Sequence, residues 1–340
     1  MSSHRPQPWR ASLAAVVPTL ALVLAGALAS GCGDDDAAAT RDAAVDAGPI
    51  LDPRSFDCTS LGGPDGGLVP ARASTVPVAC GLDRACRTPQ ISGHRGAGGE
   101  LGALAPEDSL AAYRAAIALG IEFVETDPRP TADGVIVNVH DTTVDRTTDG
   151  RGSVDAMTFA EVRALHLDTG KLAGDYSCEQ VPTLVEILRT CKGRVLVLVD
   201  ANKTDRVDLL VQAILDADAL DWAIFDTSSL DKIDRALALE PRLQFMIRPD
   251  TVADISTQLD HFAPRVPTIV ELGPSERAAG APVVHTRGSR VLSDVFVEDG
   301  LAIVQHDLSG YARALDLGVD ILQSDRPDLV LELYRQRGLR

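Results

Sequence analysis

Positive charge is scarce in this sequence: 32 Lys and Arg stand against 49 Asp and Glu, a net charge of −17. A chain that acidic is a poor partner for nucleic acid, because phosphate backbones are held by clustered cations. An anionic substrate would need local cations or a metal to neutralise its site. No two of the six cysteines have C-x-x-C spacing, which removes the usual structural zinc site. No G-x-G-x-x-G follows the first strand-like run, which weighs against a dinucleotide-binding sheet.

The first 88 residues read as delivery and connection. Arg5 and Arg10 form a basic start, 11–29 is apolar, and Ala29-Ser30-Gly31-Cys32 has the pattern of a lipoprotein processing box. Residues 1–31 are therefore expected to be a signal peptide, with Cys32 lipidated and the protein exported to the bacterial cell envelope. From 32 to 88 the chain is rich in Asp, Gly, Pro and Ala and reads as a flexible tether followed by an irregular connection. Export permits disulfides. Cys80–Cys86 and Cys178–Cys191 are the expected bridges, with Cys58 left over.

From residue 89 to 340 apolar, β-branched runs alternate with helical periodicity. Strands are expected at 91–93, 121–126, 195–200, 223–225, 243–247, 268–272, 302–305 and 319–323. Helices are expected at 107–119, 205–217, 228–239, 251–261, 308–317 and 327–338. The alternation implies parallel strands with crossover helices. About eight units in some 250 residues suit a closed TIM-type (β/α)8 barrel, an open doubly wound sheet being the competitor.

One segment breaks the alternation. In VETDPRPTADGVIVNVHD, Glu125 and Asp127 point to one side of an extended strand, and Ala132-Asp133-Gly134 is turn chemistry. A hairpin pairing Thr131 with Ile136 would set Asp127 opposite His140. Pro128 and Pro130 suit a ribbon standing free above the C-terminal rim. His94, Arg95 and Asp200 also follow strands, which in a barrel places them on that same rim.

Singly these fragments are ordinary: a His beside an Arg, an acidic helix start at Glu107-Asp108-Ser109. In order, the run GHRG, APEDS, Glu125-x-Asp127, TADG, HDTTVDRTTDGRG, VPTLVEIL, Asp200 and GVDILQSDRPD resembles the glycerophosphodiester phosphodiesterase family over about residues 91–338. The resemblance implies a TIM-type barrel, His94 and His140 as acid–base pair, and Glu125 and Asp127 as metal ligands. It also implies that Arg95 contacts the substrate phosphate. Where the family has Glu-x-Lys this chain reads LVDANKTD, with Asp200 in the Glu's place and Lys203 one residue late. Asp200 remains a hard oxygen ligand for Mg²⁺ or Ca²⁺; strict alternation would point Lys203 away unless the backbone has left strand geometry.

The expected activity is metal-dependent hydrolysis of glycerophosphodiesters to glycerol 3-phosphate and an alcohol. The expected partners are that small-molecule substrate and a membrane reached through the anchor. The alternatives are a phospholipase D-like or cyclising enzyme acting on intact lipid, and a non-catalytic envelope binding lipoprotein. Asp141 either orients its neighbour His140 or caps the following turn, the cap being favoured, and Ser324-Asp325 is read as a cap of the last helix. His306-Asp307 is a secondary candidate for lining the pocket and the basic run 285–290 for contacting a headgroup, and His166 is read as a surface or boundary residue.

Overall fold

A computed structural model describes residues 51–61, 69–168 and 172–340; the leader, its cleavage box and Cys32 lie outside them. The strands are β1 (Gln90–Gly93), β2 (Phe123–Thr126), β3 (Pro128–Pro130), β4 (Ile136–Asn138), β5 (Leu196–Asp200), β6 (Ala223–Thr227), β7 (Gln244–Ile247), β8 (Ile269–Glu271), β9 (Arg290–Asp294) and β10 (Ile321–Ser324). Eight of them close into a parallel barrel in the order β1-β10-β9-β8-β7-β6-β5-β2, and β3-β4 forms a separate antiparallel hairpin. The fold is the TIM-type (β/α)8 barrel expected from the alternation.

The helices are α1 (Cys58–Leu61), α2 (Leu110–Leu119), α3 (Phe159–Arg163), α4 (Leu184–Cys191), α5 (Val207–Asp216), α6 (Leu230–Leu239), α7 (Val252–His261), α8 (Arg277–Thr286), α9 (Phe296–Gln305), α10 (Ser309–Asp316) and α11 (Pro327–Gln336). Their starts are chemically marked. The Ser109 hydroxyl accepts from Ala112 N at 3.1 Å to cap α2, and Thr183 with Glu186 forms a reciprocal capping box on α4. Barrel strands such as Leu196–Asp200 are buried throughout, as expected where helices cover the outer face and side chains fill the interior.

One strand differs from expectation. The run 302–305 belongs to α9, and the barrel strand is Arg290–Asp294. Four apolar residues carry no period that separates strand from helix. His306 consequently caps the C-terminus of α9, exposed to solvent. The run 285–290 leads into β9 from its N-terminal side, away from the rim. There the His285 ring meets Asp320 at 2.9 Å, and Arg290 is fully buried.

The disulfides also differ in part. Cys80–Cys86 forms, but Cys178 pairs with Cys58 across 120 residues, leaving Cys191 buried and free. Cys191 ends α4 facing the core, whereas the segment around Cys58 is docked on the loop bearing Cys178. Cys58 N donates to Asp175 O at 2.7 Å and the Tyr176 hydroxyl to Pro53 O at 2.8 Å. A bridge closing so long a loop chiefly restricts the unfolded chain. Cys58→Ser is expected to lower unfolding free energy by about 2–4 kcal/mol, read as a shift in the urea midpoint.

Candidate active site

The hairpin brings the first acids to the rim in a register one residue from the expected one. Pro128 pairs with Asn138 and Pro130 with Ile136, and Val139 N donates to Asp127 O at 3.0 Å. Asp127 therefore faces Val139, not His140. The turn is tighter than assumed: Thr131 N donates to Val135 O, and Gly134 takes φ +82°, a left-handed conformation that suits glycine. His140 still approaches Asp127 because the chain leaves the ladder after Asn138, and its charge is among those holding the Asp127 carboxyl below its ordinary pKa.

Glu125, Asp127 and Asp200 come together at the rim, each offering an oxygen within 4.8 Å of the others, all three buried. Burial, and then the neighbouring charges of Asp127 and Asp200, push the Glu125 carboxyl well above its ordinary pKa. Burial pushes Asp127 the same way, but Lys203, His140, Arg95 and His94 outweigh it. Asp127 Oδ2 accepts no hydrogen bond, Arg95 Nε standing 3.4 Å away. Three buried carboxylates repelling one another, one oxygen unsatisfied, make a hard-donor set that a divalent cation fits.

Two cations flank the triad. Arg95 reaches Asp127 through Nε and Glu107 through Nη1 at 2.8 Å. Lys203 Nζ lies 3.1 Å from Asp127 Oδ1. The displaced lysine is delivered by a local break in strand geometry: Asp200 Oδ1 accepts from Asn202 N at 2.7 Å, and Ala201–Lys203 forms one 3-10 turn. That turn absorbs the extra residue and sends the side chain inward.

Each histidine is held by an aspartate. His94 Nδ1 lies 2.6 Å from Asp325 Oδ1, its ring packs on Phe296 with centroids 4.5 Å apart, and Nε2 faces Glu125 Oε2 at 3.9 Å. Gly99 permits this, because a Cβ there would sit 2.6 Å from Asp325 Oδ1 and 2.7 Å from His94 Nδ1. Asp325 also accepts from Gly99 N at 2.8 Å and Leu101 N at 3.2 Å. Burial raises its pKa, but the bond from His94 and these amides bring it below the ordinary value. Asp325 is thus a histidine partner; Arg326 heads α11, with no side-chain cap.

His140 Nδ1 lies 2.8 Å from Asp141 Oδ1, so of the two readings Asp141 orients its neighbour. Burial holds the His140 imidazole below its ordinary pKa. Behind it runs a chain of ion pairs. Arg146 donates to Asp141 Oδ2 at 2.8 Å and to both Glu107 oxygens at 3.0 and 2.6 Å, and Glu107 accepts from Arg95. Glu107, read in the sequence as a helix start, and Arg146, given no role there, therefore border the site.

The far half of the rim was also missed. Arg248 Nε lies 2.7 Å from Asp226 and 2.8 Å from Glu271, and Asp294 accepts from Gln323 Nε2 at 2.8 Å. Burial pushes the Asp226 carboxyl up to about 6. Their shared signal is position: each ends or directly follows a barrel strand, although Asp294 was hidden by the misplaced strand.

Known proteins share this fold. The model of the glycerophosphoryl diester phosphodiesterase family matches residues 94–329. A glycerophosphoryl diester phosphodiesterase structure from Parabacteroides distasonis superimposes with a TM-score of 0.67 at 26% identity, covering 76% of this chain and 90% of that one. An Oleispira antarctica phosphodiesterase, solved with the product sn-glycerol-3-phosphate, shares the fold with a TM-score of 0.60 at 22% identity, covering 72% and 95%. The bovine glycerophosphodiester phosphodiesterase 1 is 46% identical over 88 residues, 26% of this chain and 27% of that protein. This and the other first curated relatives are matched over no more than about a third of their length.

Proposed function

The chain belongs to the glycerophosphoryl diester phosphodiesterase family, and we propose that it hydrolyses glycerophosphodiesters to glycerol 3-phosphate and an alcohol. The observation that carries this reading is one rim where a buried carboxylate triad, two flanking cations and two aspartate-held histidines meet. Glu125, Asp127 and Asp200 would hold Mg²⁺ or Ca²⁺, which when bound supplies Lewis acidity toward the phosphoryl oxygens.

The residues divide the remaining work. Arg95 and Lys203 add positive charge beside Asp127, where the non-bridging oxygens would lie. With Nδ1–H of each ring committed to an aspartate, Nε2 is the nitrogen left for proton transfer. One histidine takes the proton of the attacking hydroxyl, and the other protonates the departing alkoxide. The Arg146–Glu107 link keeps Arg95 and His140 in one frame. Arg146→Met is expected to lower kcat roughly tenfold, since small misplacements near reacting groups are costly. Its melting temperature should stay near that of the parent.

The discriminating experiment is product analysis on a diester panel with added metal. Glycerol 3-phosphate from glycerophosphocholine or glycerophosphoethanolamine supports the reading. Phosphatidate or a cyclic phosphate from intact lipid would favour the phospholipase D-like or cyclising alternative. A folded, metal-replete protein inert on every diester would favour the binding-lipoprotein alternative, although Lys203 Nζ stands beside Asp127.

We further propose that Cys32 carries lipid and holds the enzyme on the bacterial cell envelope, supported by the leader pattern of residues 1–32. A Cys32→Ser chain that still partitions with membranes would overturn this.

A further inference from the structure

One polar residue interrupts the apolar run 135–139: Asn138, buried at the end of β4. Its backbone is fixed on two sides. Asn138 pairs with Pro128 across the hairpin, and its N–H donates to Pro182 O at 2.9 Å. Both donors and the oxygen of its side-chain amide are engaged as well. Oδ1 accepts from Asp127 N at 2.8 Å, while Nδ2 donates to Asp108 Oδ1 at 2.6 Å and to the Tyr113 hydroxyl at 2.9 Å. Tyr113 passes the link on, donating to Glu125 O at 3.1 Å. The amide cannot be turned round, since that would set two donors together at Asp127 N and two acceptors together at Asp108.

These bonds end on the backbone of two members of the carboxylate triad. Glu125 O and Asp127 N flank Thr126, whose own hydroxyl donates to Leu198 O on β5 at 3.0 Å. Asp127 is also where the chain leaves the barrel, since β2 ends at Thr126 and β3 opens with Pro128. At such a junction the torsions of Thr126 and Asp127 decide which way the two acids point. A hydrogen bond to the peptide on either side fixes them. The far end of the link is held too. Asp108 takes φ +60°, a left-handed conformation that Asp tolerates better than most side chains, and its N–H donates to Arg95 O at 3.1 Å. Asn138, Tyr113 and Asp108 are all buried, so a bond lost here leaves a polar group unsatisfied.

We propose that Asn138 is a positioning residue for the divalent cation. Through Asp127 N directly, and through Glu125 O by way of Tyr113, it holds the two β2 carboxylates in ligating geometry. The proposal rests on the reading of Glu125, Asp127 and Asp200 as the cation's ligands. Asn138 supplies no ligand atom itself, its amide oxygen being taken by Asp127 N. Hydrogen-bonded supports of metal ligands typically carry roughly 10–100-fold of the affinity.

The test is calorimetric titration of the purified, metal-free chain with Ca²⁺ or Mg²⁺ alone. Asn138→Leu, similar in volume, removes every side-chain bond of the link. Tyr113→Phe removes only the hydroxyl that relays it to Glu125. In the swap Asp108→Asn/Asn138→Asp, donor and acceptor exchange places across the same gap and the number of carboxylates is unchanged. The expected result is a loss of cation affinity of roughly tenfold or more in Asn138→Leu and a smaller loss in Tyr113→Phe. The swap recovers most of the loss. A merely structural residue would lower the urea midpoint of the metal-free protein and leave the affinity of the folded protein unchanged. Unchanged affinity in Asn138→Leu, or in Tyr113→Phe should the leucine variant not fold, overturns the proposal. A swap that binds no better than the leucine variant, or a parent that binds neither cation, overturns it as well. The hydrolytic reading is judged separately: a parent that binds the cation yet leaves every diester intact fails that reading alone, and the variant affinities still decide this one.

Discussion

Replacing His94 or His140 with alanine lowers kcat on an alkyl glycerophosphodiester by roughly 10³-fold, the middle of the range for removing a positioned acid or base. Neither change should unfold the protein. Both rings stand at the rim outside the apolar core, and in His94→Ala the buried Asp325 keeps its amide donors from Gly99 and Leu101. The two variants can be told apart by the leaving group. A p-nitrophenyl ester leaves as a weakly basic phenolate that needs no protonation, so the variant lacking the acid recovers most of its rate on that substrate. The variant lacking the base stays slow. Equal recovery in both variants would contradict a division of labour between the two rings.

Chelating the divalent cation abolishes turnover and lowers stability together. A cation at 100 times its Kd stabilises the folded state by about 2.7 kcal/mol. For a domain of this size that is a melting-temperature gain of roughly 5–10 °C. The gain should shrink as pH falls, because protons compete with metal for the same carboxylates. Glu125→Gln removes both turnover and the metal-dependent gain while costing the metal-free fold little. In the metal-free protein burial and its acidic neighbours already favour the uncharged carboxyl at this position. Differential scanning fluorimetry with and without Mg²⁺ or Ca²⁺ measures it. A Glu125→Gln protein that still gains stability from the cation would place the metal elsewhere.

Much of the barrel is legible in the sequence because buried parallel strands are nearly continuous Val, Ile and Leu runs, as in VLVLV before Asp200 and AIFDT before α6. Legibility fails where a run is too short to carry a period. AIVQ at 302–305 reads as strand, but it is the end of an amphipathic helix, and the true strand opens with the buried Arg290, an uncommon strand start. The hairpin register was off by one because its turn holds three residues, with Thr131 bonded to Val135, a choice that loop composition alone does not make.

The residues proposed to react are legible because each follows a strand, a rule of topology. Their partners are not, since partnership is made by folding. Asp325 is separated from His94 by 231 positions, and Glu107 from Arg146 by 39. The Cys58–Cys178 bridge is missed for the same reason: nothing local to either cysteine specifies the other. Lys203 shows the reverse case. One extra residue suggests a side chain turned away, and a single 3-10 turn at Ala201–Lys203 turns it back.

The most direct measurement is phosphorus NMR of a glycerophosphodiester incubated with the purified chain. The diester resonance should be replaced by that of glycerol 3-phosphate when Mg²⁺ or Ca²⁺ is present, and neither chelated enzyme nor His140→Ala should convert it. Conversion that persists after chelation, or a folded, metal-saturated protein that leaves every diester intact, would contradict the account.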